Sequence, residues 1–151
     1  HYNLGIALAR SGETEEAIAA YNEALKIAPD YAEAHNNLGN LLMQKKRFPE
    51  AIEHFTAATR INPEVATGHN NLGIALANSG RKAEASAAFF TAVNLDGNYT
   101  DARFNLAQSY LARGDTNGAL KELETVLQAN PDFAPARKVL ARILPANNPG
   151  R

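Results

Sequence analysis

A chain of 151 residues with 45% hydrophobic content carries enough apolar side chains to bury a core, which argues against a disordered chain. Its 15 Lys+Arg against 16 Asp+Glu leave a formal charge of -1, too balanced for a dedicated nucleic-acid or anionic-membrane surface. With no cysteine there are no disulfides, thiolate metal sites or cysteine nucleophiles, and no apolar run reaches membrane-spanning length.

The first predicted helix opens on HYNLGI at 1–6 and stops at the breaker RSGET, 10–14. A second helix follows with Ala17, Tyr21 and Ala24, and Pro29 closes the unit. The same order then returns. HNNLGN at 35–40 precedes the breaker KRFPE at 46–50, then Ala51, Phe55, Ala58 and Pro63. HNNLGI at 69–74 precedes NSGRK at 78–82, then Ala85, Phe89 and Ala92, with Gly97 where the other units have proline. RFNLAQ at 103–108 precedes RGDTN at 113–117, then Ala119, Leu123, Val126 and Pro131. Within each first helix the spacing is helical, since His35, Leu38, Gly39 and Leu42 follow i, i+3, i+4, i+7. Thr14 and Asp115 are the expected N-caps, and Pro49 suits an opening turn. A last amphipathic helix at 134–144, with Val139, Leu140, Ile143 and Leu144 on one side, reads as a cap, and PANNPGR at 145–151 ends regular structure.

Every step is 34 residues, as from His35 to His69, and a period of that length signals a solenoid of helix–turn–helix units. The divisions are 1–31, 32–65, 66–99 and 100–133, with the capping helix at 134–144 and the tail at 145–151. Gly5, Gly39, Gly73 and Ala107 on the first helices, with alanines 17, 51, 85 and 119 on the second, let the paired axes approach closely. Leu4, Leu38, Leu72 and Leu106, with Tyr21, Phe55 and Phe89, are the expected core. Because the first residue already lies inside the pattern, the chain reads as part of a longer one with preceding units.

Leu-Gly in the first helix, a small residue opening the second, an aromatic next, then Ala and a junction Pro together resemble the tetratricopeptide repeat family over about residues 1–144. The fourth unit departs from that pattern at Ala107, Leu123 and Val126, and the first lacks its opening residues. The resemblance implies an all-α, right-handed superhelix, with first helices lining a concave groove and second helices the convex back. It also implies a non-catalytic module for protein or peptide ligands.

Asparagine is a mediocre helix former, so its recurrence in mid-helix asks for a reason. Asn3, Asn37, Asn71 and Asn105 precede the core leucine or its equivalent by one position, about 100° around the helix. With Asn40 and Gln108 they form a polar, largely uncharged stripe, flanked by Tyr2, Asn36, Asn70 and Phe104 and by Met43 and Leu111. These residues are the candidate peptide-binding set, since an amide offers both donors and an acceptor to a peptide backbone. The stripe is similar to the asparagine ladder in the repeat domain of O-linked N-acetylglucosamine transferases. The alternative role is bonding between neighbouring helices, and a groove amide can do both.

The family's clamp for acidic chaperone tails is not expected. Tyr2 and Ile6 stand where Lys and Asn belong, Thr67 and Asn71 where the basic pair belongs, and in the next frame Asn36, Asn40, Asn71, Asp101 and Asn105 supply no cation. His1, His35 and His69 lie on successive helices and read as packing residues, with no metal or cofactor expected, and His54 reads as surface. Ser11, Ser79, Ser86 and Ser109 have no nucleophile-elbow context, so the chain is not expected to be an enzyme itself. Substrate recruitment within a larger peptide glycosyltransferase and self-assembly are the other readings, RNA recognition is opposed by the charge, and a soluble, cytoplasmic setting is favoured.

Overall fold

The computed structural model describes residues 1–144, in which nine α-helices follow one another without a strand. They are α1 (Tyr2–Ser11), α2 (Thr14–Ile27), α3 (Ala32–Gln44), α4 (Phe48–Ile61), α5 (Ala66–Asn78), α6 (Lys82–Leu95), α7 (Thr100–Ala112), α8 (Thr116–Ala129) and α9 (Ala134–Ile143). Each packs on the next in chain order, and α3 also touches α5, as α5 touches α7. The odd helices therefore form a continuous row across the repeats. Four helix pairs and the capping α9 account for the described chain, as the repeat spacing requires. The expected tail at 145–151 lies outside the described residues.

Each first helix ends by the same device. Gly12, Gly80 and Gly114 adopt φ of 85°, 83° and 82°, and the following amide bonds back to the carbonyls of Leu8, Leu76 and Tyr110. Lys46 takes the equivalent place at φ 58°, and Arg47 N–H donates to the Leu42 carbonyl, so the cap forms there without glycine. At the start of α8 Asp115 is the N-cap and accepts from Gly118 N–H at 2.8 Å. Thr14 is not a cap: it is the first residue of α2, and its hydroxyl donates to the Gly12 carbonyl at 3.3 Å. Pro49 lies in the first turn of α4, where its missing N–H costs no helical bond.

Close approach of the paired helices rests on three glycines facing three rings. A Cβ on Gly5, Gly39 or Gly73 would stand 2.7, 2.7 or 2.5 Å from a ring carbon of Tyr21, Phe55 or Phe89. In the fourth pair Ala107 and Leu123 are both buried, so a methyl group is accommodated where the ring is replaced by a smaller side chain. Leu38 and Leu106 are buried as expected, whereas Leu72 is half-buried and Leu4 is 53% exposed. The exposure of Leu4 follows from position in the row. The α3 helix is flanked by both α2 and α4, but α1 has α2 as its one principal partner, and its other face is open.

Candidate functional site

The histidine register explains itself through the junctions. His35 and His69 place Nε2 3.0 and 2.8 Å from the carbonyls of Pro29 and Pro63, and Arg103 in the same register donates to the Gly97 carbonyl at 3.0 Å. Each side chain ties its helix to the turn before it. With Nε2 donating, the other nitrogen of His35 is free to accept from His54 Nδ1, 2.9 Å away. His54 is thus half-buried rather than a surface residue, and in the equivalent place of the fourth pair Arg103 meets Glu122 at 2.5 Å. Among the described residues no cluster of three or more His, Asp or Glu could hold a metal ion.

Burial, followed by the neighbouring His35, pushes the His54 pKa below the ordinary histidine value, and Glu53 and Glu50 only partly oppose this. The unfolded chain therefore binds the proton more readily. Stability from this group is complete above the unfolded value of about 6.5 and falls as pH drops through and below it. Thermal unfolding should occur at a lower temperature at pH 5.5 than at pH 7.5, and His54→Gln should flatten that dependence. Superimposable pH profiles for the two proteins would refute this assignment.

Asn37, Asn71 and Asn105 are half-buried on the odd-helix row, and each donates to the repeat before it. Asn37 Nδ2–H donates to the Tyr2 hydroxyl at 3.1 Å, Asn71 to Asn36 Oδ1 at 3.0 Å, and Asn105 to Asn70 Oδ1 at 3.0 Å. The two neighbouring registers singled out in the sequence are thus linked from repeat to repeat by separate hydrogen bonds, one at each step. Asn70, 4% exposed, also donates to the Tyr99 hydroxyl at 3.2 Å. Burial, then the Tyr31 phenol, raises the Tyr2 pKa against the opposing Asn37 bond, so Tyr2 stays neutral and able to accept at physiological pH.

The remaining candidates divide by exposure. Asn3, Asn40 and Gln108 are exposed, whereas Met43 packs against the main core and Leu111 against the smaller core around α8 and α9. Tyr2 lies 5.8 Å from Tyr21 and 4.5 Å from Tyr31 between ring centres, and Phe104 lies 5.4 Å from Phe133. The structure therefore brings the amides together and turns most of the apolar candidates inward. Two of the recesses along the row lie in matching register. One, of about 400 Å³ between α1 and α3, is lined by Asn37 and Asn40, and the other, of about 300 Å³ between α5 and α7, by Asn105 and Gln108. Ser109, at the wall of the second, has a buried hydroxyl without a hydrogen-bond partner, where Leu41 stands in the first. In the sequence Ser109 stands out only as a serine without a nucleophile context, and the junction aromatics are not singled out; the latter have a legible signal, an aromatic two residues beyond Pro29 and Pro131.

Sequence profiles of the tetratricopeptide repeat match residues 2–66, 36–99 and 76–143, together nearly all of the described chain. The chain belongs to the tetratricopeptide repeat family. A crystal structure of MamA matches this tetratricopeptide repeat chain with a TM-score of 0.85 and 27% identity, covering 88% of this chain and 78% of that one. A second MamA structure gives a TM-score of 0.85 and 27% identity, covering 89% and 73% respectively. MamA from Desulfovibrio magneticus RS-1, at 23% identity and a TM-score of 0.81 over 87% of this chain and 75% of that one, shares the fold. No curated protein matches the sequence. Tetratricopeptide repeat domains mediate protein–protein interactions and are typically non-catalytic, and no described helix here is long and apolar enough to cross a membrane.

Proposed function

We propose that the face formed by α1, α3, α5 and α7 is a groove that binds an extended or partly helical segment of another protein, with the asparagine ladder holding its backbone. The observation that carries this reading is the pairing of the two recesses. Ile6, Ala9, Tyr21, Asn37 and Asn40 in one correspond in register to Ile74, Ala77, Phe89, Asn105 and Gln108 in the other, two repeats on. Each thus presents a ladder amide beside an exposed amide one turn along the helix.

The hydrogen bonds between repeats are compatible with that role. A side-chain amide has two N–H donors and an acceptor oxygen, and the inter-repeat bond uses one N–H each of Asn37, Asn71 and Asn105. What remains matches the alternating C=O and N–H groups of an extended chain. Fixing the amides also reduces the entropy lost when they meet a ligand.

The test uses a panel of unstructured twelve-residue peptides and backbone and side-chain amide NMR. Binding should shift the ladder amides on the odd helices, and shifts confined to the even helices would overturn the proposal. Replacing Asn37 and Asn71 together with alanine should weaken capture while helicity stays near that of the parent chain. The same variant should lose about 1–3 kcal/mol of stability, because two inter-repeat bonds worth about 0.5–1.5 kcal/mol each are removed. Unchanged peptide affinity would exclude the ladder as the binding surface.

A further inference from the structure

The residues at 31, 65, 99 and 133 occupy one register at the junctions, and three are aromatic. Tyr31 packs against Tyr2 with ring centres 4.5 Å apart and rings tilted, Phe133 lies edge-on at 5.4 Å to Phe104, and the Tyr99 hydroxyl accepts from Asn70 at 3.2 Å. Each covers the row formed by Tyr2, Asn36, Asn70 and Phe104. The second junction carries Val65 instead, and there a recess of about 220 Å³ lies between Val65, Asn36, Ala58 and Gly68, with Tyr2 and Glu33 also on its wall. A cavity of about 150 Å³ is enough to take a benzene ring.

Asn36 and Asn70 are equivalent residues in equivalent bonds. Both accept at Oδ1 from the ladder asparagine of the following repeat, Asn71 or Asn105. Asn70 then donates to the phenol of Tyr99. Among the described residues Asn36 has no such phenol to donate to, because the residue that would bring one is Val65. The recess therefore combines an aromatic-sized volume with an amide donor placed as the one that already holds a tyrosine in the next repeat.

We propose that the recess at Val65 is a binding site for a tyrosine side chain of a partner protein, its ring beside Val65 and its hydroxyl accepting from the Asn36 amide. The ring takes the place that Tyr31, Tyr99 and Phe133 take at the other junctions. Glu33 is the charged residue on the wall. A neutral phenol is compatible with that carboxylate, whereas a phosphorylated tyrosine is repelled by it. Assignment of the tyrosine to a protein rests on the groove reading above, but the chemistry of the recess does not.

Titration of the isotopically labelled chain with N-acetyl-tyrosinamide tests the recess alone, since this probe is too short to follow the ladder. Saturable shifts are expected at the Asn36 side-chain amide and the Val65 methyl groups, with several-fold weaker binding of N-acetyl-phenylalaninamide and loss of binding on phosphorylation of the probe. Val65→Tyr should supply the missing phenol from within, raising the unfolding temperature and abolishing the shifts. If Val65→Tyr does not fold, Asn36→Ala reads the same site through loss of the preference for tyrosine over phenylalanine. Shifts that do not saturate, or that survive Val65→Tyr with Asn36 unperturbed, overturn the proposal. Peptide capture without tyrosinamide binding would reject the recess and leave the groove, and the reverse result would reject the groove and leave the recess.

Discussion

Replacement of Phe55 by alanine should remove about 3–5 kcal/mol of stability in urea unfolding, the range for emptying a well-packed aromatic site. Phe55 is 1% exposed, and its ring fills the space that Gly39 leaves open on α3. The same contact makes the reverse change costly. Gly39→Ala gains about 0.5–1 kcal/mol of helix propensity but drives a methyl group to 2.7 Å from a ring carbon. Overpacking of that kind costs about 1–3 kcal/mol, so the net effect should be destabilising. The fourth pair shows the compensated form, with Ala107 beside a helix that carries Leu123 in the aromatic register. Gly39→Ala combined with Phe55→Leu should therefore cost less than the sum of the single changes. A Gly39→Ala protein as stable as the parent would show that the helices can separate freely.

Much of this architecture was legible because it is written four times. Helix pairing, the small residues at the contact and the turns recur every 34 residues, so each position is read against its equivalents. Local capping was less legible, since Thr14 and Asp115 are both good caps by type, yet only Asp115 accepts from the N–H three residues on, in the first turn of its helix. The asparagine register was legible as a stripe, but the donor's partner was not. Asn37 and Tyr2 are 35 residues apart, one more than the repeat, so their bond depends on the offset between stacked helices. Likewise His35 and His54 meet through the angle between α3 and α4, which no spacing within one helix reports.

That offset gives the ladder a structural purpose that precedes any ligand. In a solenoid, stability is close to a sum of unit terms and nearest-neighbour terms, and bonds such as Asn71 to Asn36 belong to the second kind. Their direction is uniform, from each repeat to the one before it. On the proposed groove reading, a ligand laid across two repeats would meet amides already oriented by these bonds. The recess at Val65 lies at the one junction among the described residues whose register residue is not aromatic.

Leu38→Ala should cost about 2–5 kcal/mol, while Leu4→Ala, the same change in the same repeat register, should cost far less. Leu38 is fully buried in a helix flanked on both sides, whereas Leu4 is 53% exposed on the open side of α1. The sequence alone gives the two leucines equal standing; their neighbours make the difference. Because Leu38 belongs to the core cluster shared by successive units, its truncation should also weaken coupling between repeats and broaden the urea transition. Leu4→Ala should leave both midpoint and slope close to those of the parent. Equal losses at the two positions would mean that the face of α1 carrying Leu4 is covered in solution, and a concentration-dependent midpoint for the parent chain would then identify a second copy as the cover.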